Sequence, residues 1–309
     1  MTASSLLDVR HLTTRFDIRS GMFRRSGGRV HAVEDVSFSL GRGETLGLVG
    51  ESGCGKSTTG RSILGIDRPC GGTIAFEGSD ITGLGEAAMR PYRREMQMIF
   101  QDPFASLNPR MRAGDAIAEP LLVHGEISRA EIPERAADLL RRVGLQPEHA
   151  RRFPHEFSGG QRQRLCIARA LSLNPKLIVA DEAVSALDVT VQAQIVNLMI
   201  ALQQAYGLSY IFISHDMAVI ERVSHRVAVM YLGRIVEIGP REAVLGDPRH
   251  PYTKRLLGSV PVADPKRRRE QYALDHSEVP SALRPFDYVA EPTRMSEAGP
   301  GHFVAENDA

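Results

Sequence analysis

Apolar positions along this chain follow two periods that alternate with each other. Leu6 to Phe16 alternates loosely and is rich in β-branched and aromatic residues, so it predicts a first strand; Val30 to Leu40 predicts a second, returning one. Leu46 to Val49 is an unbroken apolar run followed by a glycine-rich turn and a helix-like run, Thr59 to Leu64. Gly72 to Phe76 and Glu95 to Phe100 predict further strands, and the prolines of Gln101 to Pro109 forbid continued regular structure there. From Ala113 to Gly144 the period becomes helical. Ala116, Ile117, Leu121 and Leu122 form one apolar set, and Ala136, Leu139, Leu140 and Val143 another.

Leu177 to Ala180 and Ser209 to Ser214 are short continuous apolar runs of the kind buried on both faces of a parallel sheet. A helix opening near Ser158 and running through Arg164 to Leu173 precedes the first of them, and an amphipathic helix, Val191 to Gln204, separates the two. Val227 to Tyr231 and Gly233 to Ile238 predict a closing hairpin, and Pro240 to Leu245 and Pro251 to Gly258 short helices. After Pro261 apolar density falls and prolines recur, which predicts a peripheral, partly irregular tail. Strands alternating with helices give an α/β class. The expected organisation is a main domain over 1–258, with a helical insertion at about 102–165, and a tail over 259–309.

Chemistry enters at the first buried run. Gly50-Glu51-Ser52-Gly53-Cys54-Gly55-Lys56-Ser57-Thr58 has the strand, glycine turn and helix start of a P-loop. Its glycines reach backbone angles closed to other residues, so successive N–H groups can turn toward a phosphate, and the helix start adds partial positive charge. Lys56 is placed for β- and γ-phosphate oxygens, Ser57 for Mg²⁺ and Thr58 for a phosphate oxygen. Ser158 is a good N-cap, and Gly159 and Gly160 leave that helix start open to an anion. Asp181 and Glu182 stand at the C-terminal end of a buried strand, where ligands of open parallel sheets bind, and His215 ends a second strand in the same way. Phe16 offers either a flat face for a base or a core side chain.

Composition narrows the classes. The chain has 309 residues, 42% hydrophobic and 24% charged, with a formal net charge of +1, so nothing global argues for a nucleic-acid partner. Cys54, Cys70 and Cys166 are far apart, which suits a reducing compartment and excludes a disulfide framework. No stretch approaches the ~20 apolar residues of a bilayer-spanning helix, so membrane contact is expected through a partner. The basic loop Arg19 to Arg29 and the run Lys266 to Arg269 are open to two readings, solvated surface or attraction to phosphate and headgroups.

Taken together and in this order, the P-loop, Gln101, Ser158 to Gln161, Asp181-Glu182, Ser185 to Asp188 and His215 resemble the nucleotide-binding domain of ABC-type ATPases over Leu6 to Gly258. The resemblance implies a RecA-like core, an antiparallel β subdomain, a helical signature subdomain and a C-terminal extension. It implies ATP and Mg²⁺ as ligands. Phe16 would be the adenine-stacking aromatic, Gln101 the Q-loop glutamine reaching Mg²⁺ and the attacking water, and Ser57 and Asp181 further Mg²⁺ partners, Asp181 through water. Ser158, Gly159 and Gly160, beside Gln161, would contact the γ-phosphate held on an opposite subunit. Glu182 would polarise water, Asp188 would lie in the D-loop at the dimer seam, and His215 would be the H-loop switch.

The flanks resemble a narrower group. Gly50 to Lys56, Ile99 to Pro109, Val184 to Val189 and His250-Pro251-Tyr252-Thr253-Lys254 are similar to the oligopeptide/dipeptide (and nickel) importer ATPases of the second-subunit type. That implies a peripheral protein on the cytoplasmic face of a bacterial inner membrane, working with two permease subunits, a second ATPase subunit and, indirectly, a substrate-binding protein. Phe104 to Asn108 is the expected permease-facing segment, to be tested at Leu107. Two departures stand out: Ala183 follows Glu182 where many relatives carry Pro, and Pro261 to Ala309 holds no Cys, so no iron–sulfur cluster is expected. A soluble ABC ATPase acting on ribosomes or DNA is the alternative. An unrelated P-loop kinase or GTPase would leave Ser158 to Gln161 unexplained.

Overall fold

The computed structural model describes residues 5–18, 28–259 and 282–306. The run Lys266 to Arg269 and most of the basic loop fall outside them. The chain divides into two units, one built from Met1–Gly41, Thr45–Leu84 and Ser214–Ala309, the other from Arg42–Glu44 and Gly85–Ile213.

The first unit opens with β1 (Leu7–Ile18) and β2 (Gly28–Leu40), an antiparallel pair in register from Leu7↔Leu40 to Ile18↔Gly28. Leu7 and Val9, and again Leu12 and Thr14, are buried at the period-two spacing of a strand, with one extra residue between the two pairs. Register shifts between Val9 and Thr14 bend the pair, and His11 and Asp35 there take positive φ. After β3 (Thr45–Val49) and α1 (Lys56–Ile63), β4 (Gly71–Phe76) pairs with β1, and β5 (Ser79–Asp80) with β4.

The second unit is one continuous stretch apart from residues 42–44. It runs α2 (Glu86–Glu95), β6 (Met96–Ile99), α3 (Pro103–Ser106), α4 (Ala113–His124), α5 (Ile132–Arg142), α6 (Gly159–Leu171), β7 (Leu177–Asp181), α7 (Val189–Tyr206) and β8 (Ser209–Ile213). β6, β7 and β8 are parallel neighbours, paired Met96↔Leu177 and Leu177↔Ser209 at their starts. Every residue of β7 and β8 is buried, which is why those runs are apolar without alternation. Ala116, Ile117, Leu121, Ala136, Leu139, Leu140 and Leu165 form the helical core. Where two prolines were expected to end regular structure, Pro103 instead starts a one-turn helix. Its missing N–H lies where no intrahelical bond is made, and the Asp102 carboxylate accepts the Phe104 N–H.

The chain returns to the first unit through α8 (Met217–Val223), β9 (Arg226–Tyr231), β10 (Arg234–Pro240), α9 (Arg241–Gly246) and α10 (Pro251–Gly258). β9 lies parallel to β3, and the two-residue turn Leu232–Gly233, with positive φ at both positions, folds β10 back on β9. The last described segment is more regular than its composition suggests. β11 (Leu283–Arg284) pairs with β2, while β12 (Met295–Gly299) and β13 (His302–Ala305) form a hairpin on the free edge of β10. Strand addition rests on backbone hydrogen bonds, so it leaves little apolar signature in the sequence.

Candidate functional site

In the first unit the loop from β3 to α1 is shaped by three glycines with φ of 148° at Gly50, 82° at Gly53 and 104° at Gly55. A Cβ on Gly50 would lie 2.2 Å from the Met230 carbonyl oxygen, and one on Gly55 2.1 Å from that of Ala32, so packing as well as torsion demands glycine at both. Gly53 faces open space and is exposed, as is Ser52. Gly55 stands at the helix start, no side chain caps it and no acid occupies the first turn. The positive end of α1 is therefore presented to the loop without a competing carboxylate. Lys56 is buried, and its ammonium donates to the carbonyls of Gly50 and Glu51, each at 2.8 Å. Cys54 is a packing residue: burial pushes its thiol up, against the pull of Lys56, which disfavours the reactive thiolate. Ser57 and Thr58 are half-buried on the first turn.

Phe16 lies within β1 opposite Val30, two residues short of the strand end, and is 42% exposed. The core alternative is thereby removed. His215 is exposed just beyond β8, next to Ser214, whose N–H donates to the Leu48 carbonyl of β3 at 3.3 Å. Asp216 has a structural role, capping α8 by accepting from Ala218 N at 2.9 Å.

In the second unit Asp181 is the last residue of β7 and is buried. Glu182 follows with φ of 47°, a conformation that non-glycine residues rarely hold, and its N–H donates to the Ile213 carbonyl at 3.0 Å. That kink brings its carboxylate to the Gln101 amide, which donates to Oε2 at 2.6 Å. Ser158 caps α6 in a reciprocal box: Gln161 N donates to Ser158 Oγ, and Ser158 N to Gln161 Oε1. The Gln161 side chain is thus engaged in the cap. A Cβ on Gly160 would lie 2.4 Å from Val191 Cγ1, so glycine here lets α6 start tight against α7. Asp188 caps α7 through Val191 N at 2.9 Å, and Ser185 bonds the Glu182 carbonyl by both its N–H and its hydroxyl.

One expected test residue is misplaced. Leu107 is buried, so it cannot meet a partner, whereas Phe104 is 62% exposed with the Arg162 guanidinium 3.7 Å from its ring centre. Sequence reasoning also missed the strained Glu182 backbone and its bond to Gln101, neither of which leaves a local signature. The donor types suit the expected ligands: the first unit offers an ammonium, helix amides and the Ser57 hydroxyl, the second the Gln101 amide oxygen and the Asp181 carboxylate, which are groups of the kinds that phosphates and Mg²⁺ prefer.

Residues 33–185 match the family model described as ABC transporter, and residues 236–287 match the oligopeptide/dipeptide transporter C-terminal region. The chain belongs to the ABC transporter family. It is 58% identical, over 99% of its length, to the glutathione import ATP-binding protein of Pectobacterium atrosepticum, and 58% identical over 97% to that of Escherichia coli strain K12. It spans about half of those relatives, 49% and 48% respectively. Among solved structures it resembles the ATP-binding cassette MJ0796 in a dimeric post-hydrolysis state bound to ADP and phosphate. That likeness has a TM-score of 0.67 and 27% identity, over 76% of this chain and 98% of the other. It also resembles cbiO1 of Clostridium perfringens, part of the cbiONQ transporter complex, with TM-score 0.67 and 25% identity over 79% and 92%. These likenesses agree with the ABC-type α/β fold read from the sequence.

Proposed function

We propose that this chain binds and hydrolyses ATP to power a bacterial importer of peptides or related small solutes. The observation that carries this reading is the Gln101–Glu182 contact, which holds a carboxylate at the end of a buried strand in a conformation a structural role does not need. Family membership, the glycine loop with its buried Lys56, and the oligopeptide/dipeptide C-terminal match support it. The likeness to relatives named for glutathione import supports testing that solute as a cargo. The same C-terminal match favours an importer over a soluble ATPase acting on ribosomes or DNA.

In this reading the loop amides and the α1 start bind the triphosphate, and Lys56 moves from the carbonyls of Gly50 and Glu51 to the β- and γ-phosphate oxygens. Phe16 offers its exposed ring to the base. Glu182 accepts a hydrogen bond from the attacking water and aligns it, and Gln101 holds that carboxylate in place. Ser57, Gln101 and Asp181 would hold Mg²⁺, which supplies charge neutralisation at the phosphates when bound. The start of α6 at Ser158, Gly159 and Gly160 would reach the γ-phosphate of a second ATPase subunit, identical or not, with Asp188 and His215 near that seam. Phe104, beside Arg162, is the candidate contact for one of two permease subunits at the inner membrane. No described helix is long and apolar enough to cross a membrane.

Glu182→Gln keeps the size and the hydrogen-bond partner but removes the base. Steady-state hydrolysis should fall about 10²–10⁴-fold while ATP binding persists. Turnover equal to that of the wild type would refute the assignment.

A further inference from the structure

The His250-Pro251-Tyr252 flank stands out in the sequence, and the reaction as proposed gives it no task. In the structure α10 begins at Pro251, and the hydroxyl of Tyr252 accepts the backbone N–H of Glu51, in the phosphate loop, at 2.9 Å. That N–H belongs to the peptide whose carbonyl, Gly50 O, accepts the Lys56 ammonium at 2.8 Å. In a trans peptide the two groups point in opposite directions, so fixing one fixes the other. Tyr252 therefore sets the rotation of the Gly50–Glu51 peptide. The glycine, with φ of 148°, would otherwise leave that peptide free to turn.

The tyrosine is itself held on all sides. Its ring lies 4.2 Å from that of Tyr231, the last residue of β9, and the Arg255 guanidinium sits over both rings at 5.4 and 5.9 Å. Its own N–H donates to His250 Nδ1 at 3.1 Å, and the His250 N–H donates to Oε2 of Glu237 at 2.9 Å. Glu237 is fully buried in β10, and its other oxygen meets the Arg249 N–H at 2.8 Å and Nε2 of His302, from β13, at 2.7 Å. A continuous set of hydrogen bonds thus runs from the terminal hairpin to the phosphate loop, all within the first unit.

We propose that Tyr252 is a positioning residue for nucleotide binding, holding the Gly50–Glu51 peptide so that the loop keeps its turn and Lys56 its place beside it until a triphosphate draws the ammonium away, and that His302 and Glu237 set Tyr252 in turn. This rests on the ATP reading of the loop. The C-terminal region then acts as a brace for the triphosphate site.

The test uses the full chain and ATP as the probe. Tyr252→Phe keeps the ring stack and deletes only the hydroxyl. The half-buried Glu51 N–H loses its acceptor, a change worth about tenfold in the population of the held peptide, so the dissociation constant for ATP should rise about tenfold. The turnover number at saturating ATP should stay within about twofold, because bound ATP has by then drawn Lys56 onto its phosphates and Glu182 and Gln101 are untouched. His302→Gln should weaken ATP binding in the same direction by about two- to threefold, and the double variant should bind no more weakly than Tyr252→Phe alone, since both act through one path. A general loss of packing would instead lower turnover and binding together. Equal dissociation constants for wild type and Tyr252→Phe would overturn the role of Tyr252 and leave the ATP reading standing. Failure of the wild type to bind ATP would overturn that reading itself. Strictly additive effects of the two substitutions would remove His302 from the path.

Discussion

Glu237→Gln is the substitution whose cost the structure defines most closely. The carboxylate has no exposure to solvent and accepts three N–H groups, from Arg249 and His302 on Oε1 and from His250 on Oε2. Glutamine has the same size but a single acceptor oxygen. If that oxygen takes the Oε1 place, the His250 N–H faces an NH₂ group; if it takes the Oε2 place, Arg249 and His302 both do. An orphaned buried N–H costs about 1–3 kcal/mol, and the surviving bonds weaken because the acceptor is no longer charged. The total comes to about 2–4 kcal/mol. For a protein of this size each kcal/mol moves the thermal midpoint by about 2–4 °C, so a fall of about 4–16 °C is expected. Far-UV circular dichroism suits the measurement, since the chain contains no Trp. Glu242→Gln, on an exposed α9 carboxylate, is the control and should stay within about 0.5 kcal/mol. A midpoint for Glu237→Gln within about 2 °C of the control would refute the claim that this carboxylate ties the hairpin and α10 together.

The docking proposal separates at two neighbouring residues. Phe104→Ser should cost no more than about 1 kcal/mol of stability, the lost contact with Arg162 being exposed, yet uncouple hydrolysis from transport in reconstituted membranes. Leu107→Ala should instead cost about 2–5 kcal/mol, read as a lower unfolding midpoint with or without permeases. Transport unaffected by Phe104→Ser would move the permease contact elsewhere. Gly55→Ala forces a side chain into φ of 104° and onto the Ala32 carbonyl 2.1 Å away. It should abolish ATP binding measured by calorimetry and lower stability by about 3 kcal/mol or more.

Much of the fold was legible because burial writes itself into composition. β7 and β8, buried throughout, appear as unbroken apolar runs, and α10 falls at Pro251 to Gly258 as its proline start predicts. The phosphate loop was legible because its glycines answer to backbone torsions and close packing that other residues cannot meet. Elements held by backbone pairing alone escaped: β12 and β13 carry four exposed residues in five and two buried in four, a pattern no period reveals. Side-chain contacts between distant positions escaped for a related reason. Glu51 and Tyr252, or Gln101 and Glu182, are joined only once the strands between them have paired. Leu107 shows the converse error, since an apolar residue in an irregular segment reads equally as a docking knob or as local core.

The two units differ in how the chain enters them, and this bears on the order in which the protein can take shape on the ribosome. Gly85–Ile213 is contiguous, so its parallel strands and helices have nearly all their partners once residue 213 has emerged. The other unit must wait, since its phosphate-loop strand lies beside β9 and the hairpin completing that sheet ends at Ala305. At about 5–20 residues per second, the intervening stretch takes roughly 5–20 seconds to translate. Through that interval the nascent chain carries a finished helical body and a phosphate-loop strand whose β9 edge is still open, which makes it a natural client for chaperones that shield open β edges.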